Sequence, residues 1–472
     1  MKIFIALAVL YFTACAAEKK IVCYFQSWSV YRKGNGKFGI EKIDPKLCTH
    51  LIYTFVGIKG SEVKILDPWQ DTPNDYGKDG FGRFNKLKLK NPALKTLVAI
   101  GGWNEGSTKY SIMASNPRSR ERFADNAVAF VKKWGFDGFD LDWEYPAQRG
   151  GSPNDVKNFV KLVKVLGKKL HSQGLLLSAA VAAAKSSASQ SYDIAKISKH
   201  LDFINLMAYD FHGPWDPITG LNAPLHAGRG DQDRDFNSEA AVNYWLSKGA
   251  PKEKLILGVP TYGRTFTLSN PRNNGLGAAT SGPGNAGPYT KEAGYLGYQE
   301  ICEMQKKGGW KVSYDKERKA ASAYKGNQWV GFDNVKSIKA KAEFVKKMGL
   351  GGAMVWAIDV DDFNGVCGEK YPLVKTLNAV LRGGKEMSQK EPAEVDNSQE
   401  DEPDLDDSQN NEPEQPTSVS KDVCTKVGNI PDSSSCGYFA CTHDGRGGFF
   451  KYSLPCQPGL CYNYKKDQCD YK

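Results

Sequence analysis

Asp137, Asp140, Asp142 and Glu144 sit within a single run, Asp137-Gly138-Phe139-Asp140-Leu141-Asp142-Trp143-Glu144. The last three acids take alternate positions, and the apolar Phe139, Leu141 and Trp143 fill the places between them. A period of two belongs to a β-strand, so the spacing predicts acids on one face and apolar side chains on the other. Burying like charges in a row is costly, and a strand with one solvated face would avoid that cost. Gly138 just before the acids and Tyr145-Pro146 just after them argue against a surface edge. Proton chemistry fits better. Acids one strand period apart are about 7 Å from each other at Cα, and two carboxylates that close do not both ionise cheaply. A proton held near neutral pH on Asp142 and Glu144, with Asp140 below, is what a general acid needs.

The elements around this run alternate between apolar stretches and helical patterns from about residue 20 to 382. Candidate strands cover 21–25, 51–55, 97–101, 138–142, 175–180, 203–207, 255–259 and 352–356. Eight strand–helix units predict an α/β fold of the TIM (β/α)8 type. Its catalytic groups gather at the C-terminal ends of the strands, which is where Glu144 falls. Asn116-Pro117 caps one helix, followed by Phe123, Ala127, Phe130, Val131 and Trp134 at helical spacing. Ser152-Pro153 is read as the same device before Val156, Phe159, Val160, Val163 and Leu166. Roughly 90 residues separate the seventh and eighth strands, too many for an ordinary connection.

The chain ends differ from its body. Lys2, an apolar run over 3–12 and the small residues Ala14-Cys15-Ala16-Ala17 read as a secretory signal over residues 1–17. No other apolar stretch has transmembrane length, so the mature protein is expected to be secreted, extracellular and free of membrane contacts. Residues 385–421 hold twelve Asp or Glu against three Lys, a local charge of −9. The remainder therefore carries +19, the difference from the +10 of the whole chain. Its lysines are scattered along helices rather than gathered in a stripe, which predicts a solvated surface and no nucleic-acid partner. The acidic segment is read as an extended, disordered tether. Beyond it, residues 422–472 carry Cys424, Cys436, Cys441, Cys456, Cys461 and Cys469. So small a unit needs three staples, and zinc is disfavoured because paired C-x-x-C knuckles are missing. Six cysteines allow fifteen pairings, and spacing alone does not choose among them.

The acidic run matches Asp-x-x-Asp-x-Asp-x-Glu, and the chain resembles the glycoside hydrolase family 18 chitinases. Gly101-Gly102-Trp103, Met207-Ala208-Tyr209-Asp210, Tyr262-Gly263-Arg264 and Gly352-Ala353-Met354-Val355-Trp356 are similar to that family at the third, sixth, seventh and eighth strands. The resemblance implies a catalytic barrel over 18–384. It also implies a small α+β insertion at about 262–348 that walls a substrate groove. The C-terminal cysteine spacing is similar to that of peritrophin-A type chitin-binding modules, small disulfide-rich β structures, and implies bridges 424–441, 436–469 and 456–461. By the same resemblance Cys23 pairs with Cys48, and Cys302 with Cys367.

What the resemblance implies chemically is a secreted endochitinase that cleaves β-1,4 links of N-acetylglucosamine polymers with retention. The motif offers no second carboxylate placed as a nucleophile, and the family uses the substrate's own acetamido group instead. Glu144 is then the general acid and base. Asp142 and Asp140 share a proton, and Tyr209 aligns the acetamido oxygen. Asp210 is expected on substrate hydroxyls and Trp356 beneath the distorted sugar. Trp28, Trp103, Trp215 and Tyr262 follow strand ends, where exposed rings read as sugar contacts. For Tyr24 and Phe55, inside strands, packing and contact are even readings. For Arg264, sugar contact and a structural ion pair are even as well. The six histidines show no ligand spacing, so no metal and no cofactor are expected. The expected partners are chitin and chitooligosaccharides, bound by a monomer. The competing reading is a catalytically weak chitin-binding lectin. Such relatives replace the acid, whereas Asp140, Asp142, Glu144 and Tyr209 are all present here.

Overall fold

The computed structural model describes residues 18–383 and the backbone of five short strands between 428 and 471. The segments read as signal peptide and tether, and the three bridges expected at the C-terminus, lie outside the described residues. The chain divides into two units, 1–398 and 399–472.

In the first unit the strands are β1 (Lys20–Gln26), β2 (His50–Lys59), β3 (Glu62–Ile65), β4 (Lys95–Gly101) and β5 (Gly138–Asp142). There follow β6 (Leu176–Ala182), β7 (Phe203–Met207), β8 (Leu255–Pro260), β9 (Tyr262–Leu268), β10 (Thr280–Pro283) and β11 (Tyr295–Gly297). The last are β12 (Lys311–Asp315), β13 (Ala320–Lys325), β14 (Gln328–Phe332) and β15 (Gly352–Trp356). Eight of them run parallel in the order β1, β2, β4, β5, β6, β7, β8, β15, and β1 pairs with both β15 and β2, which closes a barrel. Each coincides with a predicted strand to within a few residues. β3 was not foreseen: it folds back antiparallel on β2 beyond the left-handed Gly60.

Parallel strands covered on both faces are apolar throughout, which is why they read as runs rather than alternations. Val22, Tyr24, Ile52, Leu97, Ala99, Ala180, Phe203, Ile256 and Met354 fill the inside. Ile21, Cys23, Leu51, Phe139, Leu177 and Ile204 face the helices outside. The helix Pro117–Trp134 starts as expected, with the Asn116 side chain accepting from the backbone N–H of Arg118 and Ser119, and ends on the left-handed Gly135. The second helix corrects the expectation. It begins at Asp155 and runs to His171, so Pro153 stands outside it. Buried Asp155 explains the difference. Its carboxylate accepts from the Ser152 N–H at 2.8 Å and the Ser111 hydroxyl at 2.9 Å, fixing the loop before the helix.

The long connection between β8 and β15 is a separate α+β layer. Antiparallel β10, β9, β14, β13 and β12 form its sheet, β11 pairs with β9, and helix Tyr298–Lys306 lies beside it. The sheet ends at Phe332, short of the expected limit near 348, because helix Val335–Met348 packs back on the barrel against helix Pro372–Arg382. Disulfides join Cys23 to Cys48 and Cys302 to Cys367. Among the described residues no helix is long and apolar enough to cross a membrane.

In the second unit β16 (Gly428–Pro431), β17 (Tyr438–His443) and β18 (Phe449–Leu454) form an antiparallel sheet, and β19 (Leu460–Asn463) pairs with β20 (Gln468–Tyr471).

Where the inserted layer returns to the barrel, Lys341 and Asp333 form a fully buried ion pair at 2.7 Å. Removing one partner of such a pair leaves the other charge without compensation. Lys341→Met is expected to cost about 3 kcal/mol of stability; a urea midpoint equal to that of the parent would refute the assignment.

Candidate active site

The acids project from β5 at the mouth of the barrel. β5 ends at Asp142, so Glu144 stands two residues past the strand rather than within it, followed by a cis peptide to Tyr145. Two more cis peptides, Thr54–Phe55 and Trp356–Ala357, lie on β2 and at the end of β15. The β4 end approaches β5 closely. Gly101 has φ +117°, and a Cβ there would sit 2.0 Å from the Asp142 carbonyl oxygen, so only glycine fits.

Asp140 is completely buried. It accepts hydrogen bonds from the Tyr24 hydroxyl at 2.8 Å, the Ser178 hydroxyl at 2.5 Å and the Asn205 amide at 3.3 Å. Burial pushes its pKa up to about 6, and the three donors hold it from rising further. Asp142 is also buried, and its Oδ1 has no hydrogen-bond partner among the described residues. Burial first, then the neighbouring Glu144 and Asp140, raise its pKa well above the ordinary carboxylate range. Glu144 is half-buried. Loss of hydration raises its pKa to about 7, against the pull of the Arg149 charge and a hydrogen bond with Tyr145. The column thus retains protons close to neutrality, because loss of hydration outweighs the pull of the Arg149 charge at its outer end.

Around the column the structure gathers some expected groups and relocates others. Tyr209 lies half-buried inside the mouth, its hydroxyl 3.9 Å from the Met354 sulfur and its ring edge-on to Tyr262. Trp356 is half-buried, between Tyr24 at 5.4 Å and Phe55 at 5.8 Å. Phe55 also stacks on Trp28, so four rings run in series from the surface inward. Within it Tyr24 is buried and bonded to Asp140, a packing position, while Phe55 is half-open. Trp28, Trp103 and Trp215 are 41%, 55% and 49% exposed.

Tyr262 is not such a ring. It is buried, stacked on Tyr295 at 4.6 Å, and its hydroxyl donates to Asp210. Arg264 forms an ion pair: Nε and a terminal nitrogen donate to the two oxygens of Asp210 at 2.7 and 2.8 Å. Asp210, expected on substrate hydroxyls, accepts from Arg264 and Tyr262 while its side chain stays about one-third exposed. Its left-handed backbone and the Asn222 amide oxygen fix its place.

Several participants escaped sequence reasoning. Asn205 is the one strongly polar side chain in the apolar β7, a visible signal; Ser178 and Arg149 had none. Tyr31 and Trp69 stack in parallel at 6.4 Å, both about half exposed. A cavity of about 440 Å³ lined by Lys42, Phe363, Lys370 and Tyr371 among others shares no residue with the acids. The only metal-type cluster among the described residues is Cys302, Cys367 and Asp362, whose sulfurs are already joined to each other.

The model of Glycosyl hydrolases family 18 matches residues 20–361. An endochitinase of Manduca sexta is 43% identical over 376 residues, 77% of this chain and 67% of that protein. The structure of Ostrinia furnacalis Group IV chitinase in complex with allosamidin superposes with a TM-score of 0.75. It is 45% identical and covers 78% of this chain and 99% of its own. Human YKL-39, described as a pseudo-chitinase with retained chitooligosaccharide binding, is 41% identical with a TM-score of 0.71, covering 77% and 100%.

The raised carboxyl pKa values carry a stability cost of known sign. Between about pH 4.5 and 7 the folded state binds a proton on Glu144 that the unfolded chain has lost, so stability falls as pH rises through that window. Glu144→Gln removes that residue's share of the dependence. Its stability relative to the parent should grow by about 1–2 kcal/mol from pH 4.5 to 8, read from paired denaturant curves; a constant difference would mean Glu144 titrates normally.

Proposed function

This chain belongs to the glycosyl hydrolases of family 18 and is a chitinase, and on that premise we propose that it is a secreted, endo-acting enzyme that retains anomeric configuration. The observation that carries the reading is the buried acid column, with Glu144 outermost, half-open and raised to about pH 7. Glu144 donates its proton to the glycosidic oxygen as the bond to the anomeric carbon breaks. The carbonyl oxygen of the sugar's own 2-acetamido group attacks that carbon and closes an oxazolinium ring. Asp142, with an unpartnered oxygen in the site, accepts from the acetamido N–H and balances the ring's positive charge. Its own proton passes toward Asp140, whose three donors suit it to varying charge. Tyr209 holds the acetamido oxygen. Glu144, now ionised, takes a proton from the water that opens the ring, so two displacements leave the configuration unchanged.

Trp356 is the floor of the cleavage site, and Trp28, Trp103 and Trp215 are stacking surfaces along the groove. Asp210, Tyr262 and Arg264 act together as a wall that positions Tyr209. The second reading is a lectin, since YKL-39 binds chitooligosaccharides without being an active chitinase. Four intact groups, Asp140, Asp142, Glu144 and Tyr209, favour turnover. Residues 422–472 are a chitin-binding module on the tether 385–421, raising the local substrate concentration on solid polymer.

Glu144→Gln should lower kcat on chitooligosaccharides at least about 10³-fold while oligosaccharide affinity persists. Near-parental turnover would reject the acid assignment. Deleting 422–472 should reduce hydrolysis of insoluble chitin and leave soluble oligomers untouched. Equal losses on both would make the module a structural part.

A further inference from the structure

Ser107 takes no part in the reaction described above, yet its side chain touches the residues on both sides of Glu144. Its hydroxyl accepts from the Trp143 indole N–H at 2.6 Å and donates to the Tyr145 carbonyl oxygen at 2.8 Å. A serine hydroxyl carries a single proton, so the two bonds together fix its direction. Ser107 is 1% exposed and Trp143 2%, which closes the bridge to solvent.

Ser107 lies on the loop after β4 that also carries Trp103, immediately before the helix Thr108–Ser115. That is an N-cap position, where a serine hydroxyl ordinarily accepts from the first free N–H groups of its own helix. Here it makes no such bond. The side chain is turned away from the helix and toward the end of β5, so its hydroxyl serves the neighbouring strand instead. The groups it meets are themselves held. The Trp143 ring packs on Tyr110 and on Phe159, with centroids 5.8 Å away in each case. Tyr145 places its own hydroxyl on the Glu144 carboxyl. Further along the same helix, the Ser111 hydroxyl donates to Asp155 at 2.9 Å, so the loop beyond the acid is braced from the same side.

We propose that Ser107 is a positioning residue for proton delivery: its hydroxyl spans Glu144 from the residue before to the residue after and holds the carboxyl at the glycosidic oxygen. Without that hydroxyl the buried Trp143 N–H loses its acceptor, which carries a penalty that movement of the strand end would relieve. The Tyr145 carbonyl would keep only the Gln148 N–H, at 3.1 Å. Both changes fall on the backbone that carries Glu144. A general acid must stand within hydrogen-bond reach of the oxygen it protonates. A misplacement of about 1 Å can therefore cost on the order of 100-fold in rate.

The inference rests on Glu144 being the general acid, and the test separates the two. It compares kcat/KM on chitotetraose, whose sugar leaving group needs the proton, with kcat/KM on 4-methylumbelliferyl chitobioside, whose aryl oxide leaves with little protonation. The full-length parent, Ser107→Ala, Ser107→Thr and Glu144→Gln would be measured on both. Each pair of rates comes from one preparation, so any misfolded fraction cancels in their ratio. Ser107→Ala should lose about 10- to 100-fold on chitotetraose and under about 3-fold on the aryl substrate. Ser107→Thr keeps the hydroxyl and should keep the parental ratio. Glu144→Gln should show the same selective loss, larger in size. Equal losses on the two substrates in Ser107→Ala, or a shifted ratio in Ser107→Thr, overturn the positioning role while the acid assignment stands. Equal losses in Glu144→Gln overturn the acid reading, and the inference with it.

Discussion

Three carboxyls share one narrow space at the mouth of a closed barrel, and the Arg149 charge near the outermost does not offset their lost hydration. That constraint organises the upper half of the molecule. Burying ionised acids without a counter-charge costs several kcal/mol each. The protein meets this by keeping protons on the column and surrounding its base with donors. Asp140 receives three neutral donors, from β1, β6 and β7. Neutral donors stabilise its carboxylate without pinning the charge there, as an arginine would. Protons can therefore shift along the column as charge develops at its outer end.

The neighbouring strands leave space for it. Gly101 and Gly102 remove side chains where β4 meets the Asp142 backbone and the Phe55 ring. Ala99 and Ser178, the register partners of Asp140 on either side, are small. The strong cation of the site, Arg264, is kept outside the column and spent on Asp210.

Most of the barrel was legible along the chain because doubly buried parallel strands are unbroken apolar runs. The acidic motif stood out for the opposite reason: charge at alternate positions in such a run has no packing explanation. What escaped depended on neighbours distant in sequence. Asn205 and Ser178 matter because they meet Asp140 across 65 and 38 residues, and one residue at a time looks ordinary. Tyr262 follows a strand end, a position that favours exposure, but the inserted sheet it begins folds over it. Helix 155–171 started late because Asp155 was needed by the loop before it, a demand that capping patterns do not register.

The Asp210–Arg264 bridge spans two pieces of architecture. Asp210 follows a barrel strand directly after Tyr209, and Arg264 lies on the first strand of the added layer. The layer is thus keyed to the loop that carries Tyr209 and cannot be regarded as an interchangeable cassette. A chimera that grafts a foreign layer onto this scaffold would have to transplant the loop with it, and recombination between relatives should respect the same boundary.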